Sequence, residues 1–258
     1  MADALLSLQQ VSKSYWRGPS EVRVLVDASL DVGAGEFIGV WGRRGAGKTT
    51  LLRIAAGLET PDRGTVRFAG EDLATLSERG HARLRRGEIG WVRRSGPRSD
   101  LTMLDYVALP LLIEHGRRQA NRLADGALRR VGMGQCAGQR WESLSDGERA
   151  LVAIAHGIAR SPRLLLIDDP TANLGVRERE EILQLLRALV EETDVALLMT
   201  VPDMPAAMGS HQLRALSGGQ LITPPAGSGS DGDGDRETPP ADGGEDNVIE
   251  FPGYKRSA

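Results

Sequence analysis

Gly42-Arg-Arg-Gly-Ala-Gly-Lys-Thr49 decides how the rest of the 258-residue chain is read. The eight residues have the form G-x-x-x-x-G-K-T, a loop that holds phosphate between a strand and a helix. The flanks agree. Glu36-Phe-Ile-Gly-Val-Trp41 is a short apolar run suited to a buried strand, and Thr50-Leu-Leu-Arg-Ile-Ala-Ala56 carries helical spacing. Gly42, Gly45 and Gly47 let the backbone curl until successive N–H groups face an anion. Arg43, Arg44 and Ala46 belong to the same cradle, and Thr50 continues it into the helix. The helix adds the positive end of its dipole at the same point. Lys48 can reach the β- and γ-phosphates, and the Thr49 hydroxyl suits a magnesium ion. The stretch implies a nucleoside triphosphate site.

Composition sets bounds. The formal charge is −3, which gives no general pull toward nucleic acid. Lysine occurs only at Lys13, Lys48 and Lys255, so one of three sits in the phosphate loop while arginine supplies the other positive charges. Cys136 is the single cysteine, which excludes an internal disulfide and points to a reducing compartment. The first thirty residues lack a signal pattern, and no apolar run approaches the ~20 residues of a membrane helix. A cytoplasmic protein is expected, with any membrane role supplied by a partner.

Leu5–Val11 and Val22–Val26 read as strands of a small sheet with Tyr15 between them. Tyr15 either stacks on a purine ring or caps the sheet edge. Thr65–Phe68 and Glu88–Val92 read as strands, Leu76–Arg86 as a helix. Thr102–Ile113 and Gly116–Val131 have helical spacing and form a helical insertion. Ser145 and Glu148 have capping-box spacing before a helix over 149–160. Arg163-Leu-Leu-Leu-Ile-Asp-Asp169 is an apolar strand ending in two carboxylates, a place for hydrated magnesium opposite the phosphate loop. A helix over 177–192 and a strand over 195–201 follow. From residue 223 Gly, Pro, Ser and Asp dominate. Residues 223–258 hold eight acids and three bases, which predicts an acidic, disordered tail.

This order of parts resembles the ATP-binding subunit of ABC transporters, above all the branch serving lipoprotein release and macrolide-type efflux. The resemblance covers roughly residues 4–222. Gly42–Thr49 matches Walker A, Leu164–Asp168 matches Walker B with Asp168 as the magnesium-organising carboxylate, and Tyr15 falls on the adenine-stacking position. Leu101–Pro110 is similar to the stretch after the Q-loop, and Asp169–Leu174 to the segment leading to the D-loop. The resemblance implies an α/β fold. A P-loop NTPase core, a mostly parallel sheet flanked by helices, would carry an antiparallel β subdomain and a helical subdomain at about residues 94–160. ATP and Mg2+ would be the cofactors. The partners would be a membrane permease, which holds the chain peripherally on the inner face of the cell membrane, and a second ATP-binding subunit, identical or different. Such subunits pair head to tail, with ATP between the phosphate loop of one and the signature segment of the other, here Ser145, Asp146 and Gly147.

Residues expected to handle the γ-phosphate depart from the family pattern. The Q-loop glutamine falls on Arg94, and a guanidinium offers magnesium no oxygen. The signature reads Leu-Ser-Asp-Gly-Glu, with Asp146 in place of glycine. The catalytic glutamate falls on Asp169, shorter by roughly 1.5 Å. The D-loop aspartate falls on Gly175 and the switch histidine on Val201. A literal Leu-Ser-Gly-Gly-Gln at Leu216–Gln220 lies downstream of the Walker B strand and reads as a hairpin turn. Binding of Mg-ATP with slow hydrolysis is the expected outcome, Lys48 and Asp169 being the residues nearest the chemistry. A non-hydrolysing regulatory subunit and a soluble ABC-type protein without a membrane partner are the alternatives.

Overall fold

Strands that must be buried on both faces read as unbroken apolar runs, and two such strands form the centre of the molecule: β7 (Leu164–Asp168) and β8 (Ala196–Val201). The computed structural model describes residues 4–93, 96–97, 100–201 and 210–224. β8 lies between β7 and β3 (Phe37–Trp41), parallel to both. Beyond β7 is β6 (Ile89–Val92). Beyond β3 are β9 (Gln212–Ser217) and β10 (Gln220–Ile222), giving six strands in the order β10-β9-β3-β8-β7-β6. Only the β9–β10 pair is antiparallel.

Alternation along the central strands divides the core in two. Leu165, Ile167, Leu197 and Met199 face one cluster, packed with helices α3 (Met103–Ala108), α4 (Arg117–Arg130), α5 (Asp146–Ile158) and α6 (Val176–Thr193). Leu164, Leu166, Ala196 and Leu198 face the other, with α1 (Lys48–Ala55) and a second sheet. That sheet is antiparallel, in the order β2-β1-β4-β5, from β1 (Leu6–Arg17), β2 (Ser20–Val32), β4 (Arg63–Phe68) and β5 (Glu71–Asp72). Helix α2 (Glu78–Gly87) leads into β6. The expected α/β core, antiparallel sheet and helical insertion between β6 and β7 are all present.

Several boundaries differ from the sequence reading. The first hairpin is much longer: β1 runs through Tyr15 to Arg17 and pairs with β2 from Ser20, so Tyr15 is a strand residue opposite Val22 and does not lie between strands. Beyond Val11, β1 buries no side chain, so Ser12–Arg17 carries no apolar alternation to read. The helix expected over 102–113 is α-helical only to Ala108 and tightens to a 3-10 turn over Leu109–Ile113, where Pro110 cannot donate a backbone hydrogen bond. Helix α5 begins at Asp146, three residues before the expected start, because the Ser145–Glu148 box caps it there. The tail expected from residue 223 lies, from Pro225 on, outside the described residues, as does Arg94.

Candidate nucleotide site

The loop between β3 and α1 is shaped by what touches its glycines. Gly47 is the N-cap of α1 at φ 102, a left-handed conformation that favours glycine. A Cβ there would come within 2.7 Å of the Val24 carbonyl on β2. A Cβ at Gly42 would come within 2.6 Å of the Leu216 carbonyl on β9. Both sheets therefore press on the loop and leave no room for a side chain. Arg43, Arg44 and Gly45 form its exposed rim, and the Ala46 N–H donates to the Arg43 carbonyl at 3.1 Å.

Lys48 folds back across this loop. Its Nζ donates to the carbonyls of Gly42 at 2.5 Å and Arg43 at 3.1 Å. Burial pushes its pKa down, and the charges of Asp169 and then Asp168 oppose that shift. An ammonium with a partly stripped hydration shell between carbonyl dipoles is poised to exchange those weak partners for phosphate oxygens.

One residue further, the Thr49 hydroxyl donates to Asp168 Oδ2 at 2.8 Å and so joins the start of α1 to the end of β7. The other oxygen, Asp168 Oδ1, accepts from the hydroxyl of Thr200 on β8 at 2.7 Å. Thr200 also accepts the Asp169 N–H on its carbonyl at 3.0 Å. Asp169 stands just past the strand at φ 48. A hydroxyl and a carboxylate at the mouth of an anion cradle are hard oxygen donors, the set that holds magnesium together with phosphate oxygens and water. Among the described residues no group of three or more His, Cys, Asp or Glu side chains could cage a metal. The donor set therefore fits an ion that arrives with its nucleotide.

Tyr15 reaches this site from β1. Its hydroxyl lies 2.5 Å from Glu59 Oε1 and 3.3 Å from Thr50 Oγ1, so the ring is tied to the first turn of α1. Burial and then the Glu59 hydrogen bond raise the phenol's pKa. Lys13 and Arg53 flank Glu59 at 3.9 and 3.5 Å.

Tyr15, the loop, Thr49, Asp168 and Asp169 are thus brought together. Ser145, Asp146 and Gly147 gather elsewhere, at the start of α5. Ser145 Oγ accepts from the Glu148 N–H at 3.2 Å, and Glu148 accepts from the Ser145 N–H at 2.8 Å. Asp146 is exposed and pairs with Arg149 at 3.3 Å. Gly147 is buried, and a Cβ on it would meet Glu178 at 2.9 Å. The second oxygen of Glu178 accepts the Gly175 N–H at 3.0 Å, so the carboxylate that closes over Gly147 is held from the start of α6. Val201 is fully buried and paired with Trp41. Leu216–Gln220 is the β9–β10 hairpin, with Gly218 and Gly219 at φ 57 and 80.

Thr200, Glu59 and Glu178 were not legible as site residues. Thr200 and Glu59 act through bonds to distant parts of the chain, and Glu178 through its packing against Gly147, though a lone hydroxyl in the run Ala-Leu-Leu-Met-Thr-Val was a usable signal for Thr200.

A glycine loop between strand and helix, facing a strand-end carboxylate in a parallel sheet, defines a P-loop nucleotide-binding cassette. The chain belongs to the ABC transporter family, whose model matches residues 25–172. It is an ATP-binding subunit of that kind, and hydrolysis of ATP is the family's activity. It is 37% identical over 223 residues to the lipoprotein-releasing system ATP-binding protein LolD of Pseudomonas syringae pv. tomato, covering 85% of this chain and 97% of that one. The protein of the same name from Cereibacter sphaeroides is 37% identical over 221 residues, covering 84% and 99%. Among solved structures, the dimeric ATP-binding cassette MJ0796 in a post-hydrolysis state with ADP and Pi superposes with a TM-score of 0.77 at 28% identity, covering 84% of this chain and 96% of that one. The cbiO1 protein of Clostridium perfringens, part of the ABC transporter complex cbiONQ, shares the fold with a TM-score of 0.75 at 23% identity, covering 85% and 87%.

Proposed function

We propose that residues 1–222 form a domain that binds Mg-ATP, hydrolyses it slowly by itself, and drives a separate membrane permease that releases lipoproteins. The observation that carries this reading is the Thr49–Asp168 hydrogen bond, which sets a hydroxyl and a carboxylate beside the glycine loop. In this reading the backbone of Gly42, Arg43, Arg44, Gly45, Ala46 and Gly47 cradles the phosphates together with Lys48, Thr49 and Thr50. Thr49 and Asp168 hold magnesium, Tyr15 carries the adenine ring, and Asp169 is the base that prepares water. Its short arm, with Val201 where a hydrogen-bonding switch belongs, is the physical reason for slow turnover. General-base help is typically worth ~10²–10⁴ in rate.

The lipoprotein assignment rests on the names of the relatives, which span nearly the same length as the described domain. Among the described residues no helix is long and apolar enough to cross a membrane, so the permease would be a separate chain that holds this one on the inner face of the membrane. Ser145, Asp146 and Gly147 would face the nucleotide of a second subunit. The exposed guanidinium groups of Arg43 and Arg44 and the exposed Asp146 carboxylate have opposite charge, which favours two copies of this chain in that arrangement. The test is co-expression with a multi-span permease of a lipoprotein-releasing system. The expected result is co-purification from membranes and ATP turnover at least about tenfold above that of the chain alone, abolished by Lys48→Ala. Recovery of the chain only in the soluble fraction, with turnover unchanged by the permease, would contradict it.

A further inference from the structure

Strand β8 is buried along its whole length, and its run Ala-Leu-Leu-Met-Thr-Val contains a single polar side chain. Thr200 is 0% exposed, and Thr171 is the only other buried polar residue among those described. Its neighbours along the same face of the strand, Ala196 and Leu198, pack in the apolar cluster that also contains Leu51 and Leu52 of α1. Packing alone would accept valine there, which has the same shape. The hydroxyl is instead spent on Asp168, and in a dry setting a hydrogen bond to a charged carboxylate is both strong and directional.

The arrangement is more specific than a satisfied core hydroxyl. Thr200 faces Asp168 across the β7–β8 ladder. Its side chain takes one carboxylate oxygen of Asp168, so the other is left pointing at Thr49. Its main-chain carbonyl takes the N–H of Asp169. One buried residue therefore fixes the rotation of the first carboxylate and the backbone of the second. Asp168 Oδ2, the oxygen that takes the Thr49 hydroxyl, is thus aligned by a buried donor on the neighbouring strand.

We propose that Thr200 is a positioning residue that pre-sets Asp168 to receive the magnesium ion of the bound nucleotide. This rests on the nucleotide reading of the loop. Without the hydroxyl, Asp168 is held on one side only, by Thr49, and its other oxygen is left without its buried donor. Affinity for the metal falls while the phosphate cradle is untouched. Loss of an outer partner of a metal-holding carboxylate typically costs ~10- to 100-fold in metal affinity.

The experiment is calorimetric titration of the full chain with ATP, with and without MgCl2, for the wild type, Thr200→Val and Thr200→Ser, with Thr200→Ala as a second hydroxyl-free variant should valine disturb folding. Wild type should bind more tightly with magnesium. Thr200→Val should keep magnesium-free ATP affinity within about twofold and lose at least about tenfold of the magnesium-dependent gain. Thr200→Ser, which keeps the hydroxyl, should restore the gain to within about threefold. Full magnesium dependence in Thr200→Val or Thr200→Ala overturns the proposal, and so does failure of Thr200→Ser to restore it. An absence of ATP binding by the wild type would instead defeat the reading of the loop itself, a result distinguishable from either.

Discussion

As the proposed base, Asp169 has a side chain that suits its backbone and is short for the chemistry. It sits at φ 48, a left-handed conformation that aspartate tolerates better than most residues. Its N–H is fixed on Thr200, so the backbone cannot move to compensate for the short arm. Asp169→Glu should therefore raise the ATP turnover number by about tenfold or more, with ATP affinity unchanged, at a stability cost of about 1 kcal/mol for the longer side chain in that conformation. A coupled-enzyme assay alongside thermal unfolding checks both. Turnover that stays level or falls would mean that reach is not what limits the reaction. Lys48, Thr49 and Asp168 were legible because motif spacing fixes them on one strand–loop–helix unit and its neighbour. The donors that hold them were not. Thr200 lies 32 residues from Asp168, and Glu59 lies 44 from Tyr15. Only the folded sheet brings those pairs together.

Helix α5 illustrates what spacing can and cannot reveal. The Ser145–Glu148 box was plain in the sequence, and it marks the helix start. The environment of His156 near the other end of the helix was invisible. Its ring stacks on Tyr106 of α3, with centroids 4.6 Å apart and planes at 14°. Burial, then the charges of Arg160 and Arg93, lower its pKa from 6.5 to about 4. The sign of the consequence is fixed by linkage. Below pH 6.5 the unfolded chain takes up a proton that the folded chain refuses until about pH 4. Stability is thus full above pH 6.5 and falls by about 3 kcal/mol as the pH drops through this window. His156→Phe keeps a stackable ring without a titrating group, and denaturant melts from pH 7.5 to 4 should show the wild type losing about 3 kcal/mol more than the variant. Parallel pH profiles would mean that His156 takes up its proton equally in both states. The outer part of β1 was the least legible stretch, because Ser12–Arg17 buries no side chain and carries none of the alternation from which a strand is read.

The molecule is built so that both sheets converge on one loop: β2 and β9 press on Gly47 and Gly42, β7 and β8 present Asp168, and β1 brings Tyr15. That convergence explains why eight residues could forecast the α/β core. A phosphate loop needs a parallel strand before it, a helix after it and a carboxylate strand beside it, and the chain supplies each in order. What the loop cannot forecast is the helical insertion's packing or the cargo, since neither touches phosphate. The most direct test of the whole account is the affinity of the purified 258-residue chain for Mg-ATP, measured calorimetrically beside Lys48→Ala. Saturable binding of one ATP per chain is expected, weakened by at least about tenfold when the ammonium is removed. No binding at millimolar nucleotide, or equal binding by both proteins, would show that the loop does not hold the triphosphate.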